Sequence, residues 1–328
     1  MSTTIFFDGL GKIGFSIGLA MAKKKEFVRT GYDTERYILK EAKKKGAIEK
    51  LMNNVPQGIE SADIIILDLT ADLLEQHFEI LGSHVKPGTV IIDTSAVPVE
   101  VGRLAELHLS KDVRLVSMIP AISFSALDDS ELRHEGAQAD LFKNSRMAIS
   151  SPTQATADAE TVASKLAFLF GATPVYMDVV EAQVALAKTR LLPRLVSASL
   201  MLMVNNQPGW EEAQQIASND FYKGTFSVMN IFDLSEPGKE FLVNKDLVLR
   251  MLDEYLVELK FTRQTLAGNK PEAFHELVGE AVEKRALWHA NREKDAFGVV
   301  AGNDDMPTTG DTFQQMFLGG IGKSKLKK

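Results

Sequence analysis

Ile5-Phe-Phe-Asp-Gly-Leu-Gly-Lys-Ile-Gly14, continued by Phe15-Ser-Ile-Gly-Leu-Ala-Met-Ala22, decides the fold of this chain. The short apolar run from Thr4 to Phe7 predicts a buried strand, and Ile17, Leu19, Ala20 and Met21 open an apolar helix. Between them Gly9, Gly11 and Gly14 fill the G-x-G-x-x-G spacing. In that pattern the first glycine permits a tight turn, the second lets a pyrophosphate approach the backbone, and the third lets helix and strand pack closely. The helix N-terminus then offers unpaired N–H groups and a partial positive charge to the phosphates. A second apolar strand, Phe27 to Tyr32, ends at Asp33, nineteen residues after Gly14. A carboxylate there accepts hydrogen bonds from ribose hydroxyls and favours NAD. Arg36 is close enough in sequence to meet a 2′-phosphate instead, so NADP stays open. Lys12 and Ile13 inside the motif, and Leu69 and Thr70 at the end of a later strand, complete the predicted cofactor lining. The competing reading is a glycine turn that binds nothing.

Length and composition set the frame. A chain of 328 residues predicts about two domains, and 45% hydrophobic with 25% charged residues is ordinary for a globular protein with a sizeable core. The net charge of −7 argues against a nucleic-acid surface. Without cysteine there is no disulfide, thiolate nucleophile or Cys-ligated metal, and no metal site is predicted. The sequence enters a strand at once, with no basic-then-apolar leader, and no apolar run approaches the length of a membrane span. The expectation is a cytoplasmic protein without a membrane partner. The basic ending Lys323-Ser-Lys-Leu-Lys-Lys328 reads as a solvated tail.

Further along, Ile64 to Thr70 is an almost unbroken apolar run, as in a central parallel strand. Val90 to Asp93, Val113 to Ser117, Arg146 to Ser150 and Thr173 to Met177 read as strands. Helical patterns lie at Glu35 to Lys45, Leu73 to Leu81, Val97 to Leu109 and Ala155 to Phe170. This alternation predicts an α/β fold, a Rossmann-type doubly wound parallel sheet. After Met177 only helical patterns follow: Val180 to Val204, Trp210 to Asn219, Asp246 to Leu266 and Pro271 to Asn291. The expected organisation is a dinucleotide-binding domain over 1–178, an all-helical domain over 179–294 and an irregular arm over 295–328.

With these elements in place the sequence resembles the prephenate and arogenate dehydrogenase family from Ile5 to about Trp288. The likeness rests on Gly9-Leu-Gly-Lys-Ile-Gly14, Gly31-Tyr-Asp33, Ala62-Asp-Ile-Ile-Ile-Leu67 and Val90-Ile-Ile-Asp93. It continues in Gly136…Ala139-Asp-Leu-Phe142, Leu192-Pro-Arg-Leu195 and Asn244…Ala281…Arg285. The resemblance implies NAD(P)-dependent hydride transfer from a cyclohexadienol, with decarboxylation, as in tyrosine biosynthesis. It also implies a helical domain that forms a homodimer. In such a reaction a His takes the hydroxyl proton, a Ser after the fifth strand orients the hydroxyl, and an Arg holds a carboxylate.

The chain departs from the family where the chemistry is carried. The family's His-Pro-Met-x-Gly falls where this chain reads Ser117-Met-Ile-Pro-Ala121, which puts Ile119 at the His position. The second-domain Ser-His-Leu-Pro-His pattern is reduced to Arg190-Leu-Leu-Pro-Arg194, and Thr225-Phe-Ser-Val-Met-Asn230 has no Arg. Ser95 keeps a hydroxyl after the fifth strand. His134, beside the family-like Gly136, is the candidate replacement base. Arg190 and Arg194 are four apart on one helix face and are the candidates for a small anionic substrate. A paired or solvated arginine is the alternative.

Two carboxylates are out of place. Asp8 precedes the glycine loop where an apolar residue is usual, and Asp68 lies inside the Ile64 to Thr70 run. Their strands are neighbours in a 3-2-1-4-5-6 sheet, so the carboxylates are expected to approach each other near the pyrophosphate seat, with Asp93 one strand further. A protonated pair, a cation site, a domain that has lost its dinucleotide, or local capping by each Asp would all fit. Three functions therefore compete. One is a divergent dehydrogenase of the prephenate type. A second is a β-hydroxyacid dehydrogenase, because Asp93-Thr-Ser95 and Pro98 resemble that family and Lys188 imitates its catalytic Lys, although Leu192 stands where its Asn belongs. The third is a non-catalytic dimeric binding or regulatory protein on the same scaffold.

Overall fold

The computed structural model describes residues 2–128, 131, 133–152, 157–231, 236, 238–268, 270–294 and 297. Nearly all of the 295–328 arm lies outside them. The described chain divides into two compact units. One holds the residues up to Leu69 with Leu73–Val179 and the chain from Arg292; the other holds Thr70–Asp72 and Val180–Asn291.

In the first unit the strands are β1 (Thr3–Asp8), β2 (Phe27–Tyr32), β3 (Lys50–Leu51), β4 (Ile64–Leu67), β5 (Val90–Asp93), β6 (Arg114–Pro120), β7 (Arg146–Ser150) and β8 (Thr173–Tyr176). The helices are α1 (Lys12–Ala20), α2 (Arg36–Lys45), α3 (Val55–Ser61), α4 (Leu74–His84), α5 (Pro98–His108) and α6 (Ala157–Leu169). One sheet forms in the order β3-β2-β1-β4-β5-β6-β7-β8, the doubly wound arrangement the alternation predicts. It departs from a wholly parallel sheet at one place, because β7 runs antiparallel to β6. A parallel return needs a long crossover, usually a helix. Among the described residues of 121–145 there are only two short 3-10 turns, Phe124–Ala126 and His134–Gly136, and the strand comes back reversed.

Local sequence accounts for the elements around the loop. α2 buries Leu39 and Ala42 and stops at Gly46, whose φ of +82° lets its N–H reach the Ala42 and Lys43 carbonyls. Lys43, Lys44 and Lys45 fill its last turn, where cations suit the helix dipole. α3 begins where Asn54 accepts from the Gln57 amide at 2.9 Å, with Pro56 in the first turn. Gly58 of α3 is needed because a Cβ there would lie 2.2 Å from the Phe6 ring. Among the core side chains, Ile5, Phe7, Ile64, Ile66, Val90 and Ile92 alternate onto one face of the sheet and meet α1.

The second unit is helical: α7 (Val179–Leu186), α8 (Leu192–Asn205), α9 (Trp210–Ile216), α10 (Asn219–Thr225), α11 (Lys239–Val243), α12 (Lys245–Ala267) and α13 (Pro271–Lys294). α7 runs into α8 through a π-helical turn, Ala187–Leu191. Pro193 explains the widening, since its ring and missing N–H cannot follow a regular α turn. Ala187, Leu191, Val248 and Met251 form a small core between this turn and α12.

Candidate functional site

β1 leaves the sheet through Gly9, whose φ of +88° only glycine adopts readily. Its amide donates to the Tyr32 carbonyl at 3.0 Å, which extends the β1–β2 ladder by one step. A Cβ on Gly9 would stand 2.3 Å from the Asp68 carbonyl oxygen. Leu10 then donates its amide to Asp33 Oδ2 at 2.9 Å, and the Glu35 amide donates to Asp33 Oδ1 at 2.9 Å. Asp33 is thereby fixed at the end of β2 beside the loop. Burial pushes its carboxyl up, opposed by the Glu35 and Leu10 amides. Arg36 is exposed at the start of α2, and Ile13 is half-buried against the core. Lys12 sends Nζ to the Glu131 carbonyl at 2.6 Å. Leu69 is buried beside the Gly9 turn, whereas Thr70 groups with the second unit.

The out-of-place carboxylates do not approach as a pair. Asp8 is in register with Leu67, so Asp68, one residue on, projects to the opposite face. Asp8 turns to α4, where its Oδ2 lies 2.6 Å from His77 Nδ1 in a buried contact. Burial pushes the Asp8 carboxyl up and His77 opposes the shift. Asp68 turns to α1 and its Oδ2 accepts from the Gly14 amide at 2.7 Å. The Gly11 amide faces the same carboxylate. Thr94 Oγ1 shares its proton between the Leu67 carbonyl at 3.0 Å and Asp68 Oδ1 at 3.1 Å. Burial raises Asp68 too. Local capping is therefore the arrangement found for Asp68. Among the described residues no group of three or more metal-ligating side chains converges.

Asp93 ends β5 and accepts from the Ser95 amide and from Ser117 Oγ, each at 3.0 Å. Burial raises its carboxyl to about 6. Ser95 Oγ is buried beside the Asp93 carboxylate, without a hydrogen bond of good geometry, and a bound group could take up its proton. His134 lies elsewhere. Its ring stacks on Phe15 of α1 at 6.3 Å and meets the edge of Tyr37 of α2 at 5.4 Å. Nε2 stands 3.4 Å from Glu41 and Nδ1 stands 3.1 Å from Glu135. That is the β2 side of the sheet, with β1 and β4 between β2 and β5. The structure does not bring His134 and Ser95 together. Ile119 lies on β6 opposite Ala148.

In the helical unit Lys188 is exposed on the π turn. Arg194 is buried and donates to Glu240 Oε2 at 2.7 Å, and Arg190 Nε stands 3.4 Å from Glu240 Oε1. The two arginines do share a face, as their spacing predicts, but they share it around a carboxylate. Burial, with Arg190 adding to it, lowers the Arg194 guanidinium to about 10. Arg194 is thus a paired arginine, and Arg190 is the more exposed cation of the two.

Sequence reasoning passed over Glu240 and His77. A signal for His77 was present: Leu74, His77, Phe78 and Leu81 fall at helical spacing on the buried face of α4.

No family model matches this sequence, and no curated protein sequence matches it. Solved structures do share its fold. Prephenate dehydrogenase from A. aeolicus, in complex with hydroxyphenyl propionate and NAD+, superposes with a TM-score of 0.74 at 17% identity. The match covers 88% of this chain and 98% of that one. Synechocystis arogenate dehydrogenase gives a TM-score of 0.68 at 18% identity, over 87% of this chain and 100% of that one. At these identities the likeness is one of fold.

Proposed function

We infer that this chain binds NAD(P) at the glycine loop and is an oxidoreductase of the prephenate and arogenate dehydrogenase type with a changed substrate. The observation that carries this reading is the Gly9 turn, with Asp33 locked beside it at the end of β2 by the Leu10 and Glu35 amides. Gly9 supplies the turn, Gly14 the close packing, and Asp33 retains lone pairs for a ribose. The fold it shares with the NAD+-bound A. aeolicus enzyme supports the same reading. When bound, the nicotinamide supplies the hydride acceptor or donor; Ser95 Oγ is the hydroxyl that would orient a substrate oxygen. With Ile119 at the family's His position, prephenate itself is a poor fit, and Arg190 is the remaining cation for a small anionic substrate. A second copy pairing through the helical unit suits the apolar side chains that α12 and α13 expose, among them Val257, Phe261, Val282 and Leu287. Sedimentation of the purified chain tests the dimer.

Calorimetric titration with NAD+, NADH, NADP+ and NADPH tests the cofactor, followed by assays on prephenate and arogenate. Saturable binding supports the reading, and hydride transfer on any substrate establishes it. Binding without turnover favours the second reading, a regulatory protein on this scaffold, which the pairing of Arg194 with Glu240 and the absence of the family His also suit. Absence of binding of all four nucleotides would remove both the cofactor and the activity.

A further inference from the structure

We propose that Asp68 is an internal anion on the glycine-loop phosphate seat, so that dinucleotide binding displaces its charge and takes up a proton. The inference builds on the cofactor reading above and concerns how that site is controlled. The second glycine of the motif should open onto a pyrophosphate. Here a Cβ on Gly11 would lie 3.0 Å from Asp68 Oδ2, and one on Gly14 would lie 2.8 Å from the same oxygen. The Gly14 amide, a first-turn donor of α1, is already given to that oxygen at 2.7 Å. A carboxylate therefore uses the helix end whose field and free N–H groups attract phosphate.

The surrounding charges reinforce the effect. Asp33 at the end of β2 raises the Asp68 carboxyl, and Asp68 in turn raises that of Asp93 at the end of β5. Asp8 from β1 faces away toward His77 of α4. On α1 itself Lys12 is the nearby cation, with its ammonium drawn to the Glu131 carbonyl. Thr94, after β5, contributes only a hydroxyl. An arriving diphosphate would add negative charge to a buried carboxylate, and like charges in a dry site favour protonation of one of them.

The test is calorimetry of the full chain with NADH and NADPH between pH 5.5 and 8, in two buffers of different ionisation enthalpy. The wild type is expected to take up close to one proton on binding, with Kd weakening up to about tenfold per pH unit where Asp68 is ionised. Asp68→Asn keeps the shape without the charge, so it should bind tighter at pH 8 and lose the proton uptake. Binding by Asp68→Asn alone would support the proposal equally. Binding without proton uptake, equal in wild type and variant, would overturn it while leaving the cofactor reading intact. No binding by either protein would remove the cofactor reading and this inference with it. Thermal melting checks the fold of Asp68→Asn; Asp68→Ser is the second variant, and the wild-type uptake measurement needs neither.

Discussion

Asp8 Oδ2 and His77 Nδ1 stand 2.6 Å apart in the interior, the one ending β1 and the other on the buried face of α4. Asp8 Oδ1 has no partner at all. Removing the histidine would strand a buried carboxylate, and breaking a buried pair from one side costs about 3–5 kcal/mol. His77→Leu is therefore expected to lose that much stability in urea unfolding. The double variant Asp8→Leu, His77→Leu removes both polar groups and should recover most of the loss. A single variant as stable as the double would show that the pair carries nothing.

Asp93 makes a prediction in pH. Its folded-state carboxyl is raised from 3.8 to about 6, so the folded chain holds a proton that the unfolded chain has released. Stability from this group is present below pH 4 and falls as pH rises through that window, by at most about 3 kcal/mol. Above pH 6 its contribution is flat. Asp93→Asn should remove this slope between pH 4 and 6, read as urea midpoints at each pH. An unchanged slope in the variant would place the titration elsewhere.

Arg190 and Arg194 differ in what they can spare. Arg194 is buried on Glu240, while the Arg190 side chain is 42% exposed. Arg190→Ala is expected to change stability by less than about 1 kcal/mol, as for other exposed ion pairs. If the helical unit holds an anionic substrate, the same variant should raise KM while leaving kcat nearly unchanged, because it removes binding that ground and transition states share. Glu240→Gln tests the buried partner: it leaves Arg194 without a counter-charge and should lower the melting temperature, with or without a substrate.

The sheet was legible because its strands are short apolar runs separated by helical patterns, and Phe27–Tyr32, Val90–Asp93 and Arg146–Ser150 fall where those runs end. β3 has only two residues and carries no periodic signal. The reversal of β7 was hidden because strand direction depends on the connection, and residues 121–145 read as neither helix nor strand. The carboxylates show a finer limit. Adjacency of β1 and β4 was readable, but a register that sets Asp8 beside Leu67 turns Asp8 and Asp68 to opposite faces. Arg29 escaped for a similar reason. Within an apolar strand it is buried, donating to the carbonyls of Gly18 at 3.1 Å and Gly46 at 3.0 Å, near the ends of α1 and α2. Only the folded positions of those two helices show why a cation belongs there.

The glycines of the motif can be separated by what surrounds them. Gly9 and Gly46 both have left-handed backbones, with φ of +88° and +82°. A Cβ on Gly46 meets nothing within 4 Å, whereas one on Gly9 would lie 2.3 Å from the Asp68 carbonyl oxygen. Gly46→Ala should therefore cost only the backbone penalty, about 1–2 kcal/mol. Gly9→Ala adds a collision with main chain that cannot swing aside, and overpacking costs a further 1–3 kcal/mol, roughly. Urea unfolding of the two variants measures the difference. The comparison bears on function as well as stability, because Gly9 is required by the β4 backbone whether or not a nucleotide binds. Equal losses in the two variants would mean that β4 can yield at Asp68, and the glycine at position 9 would then need its explanation from a ligand.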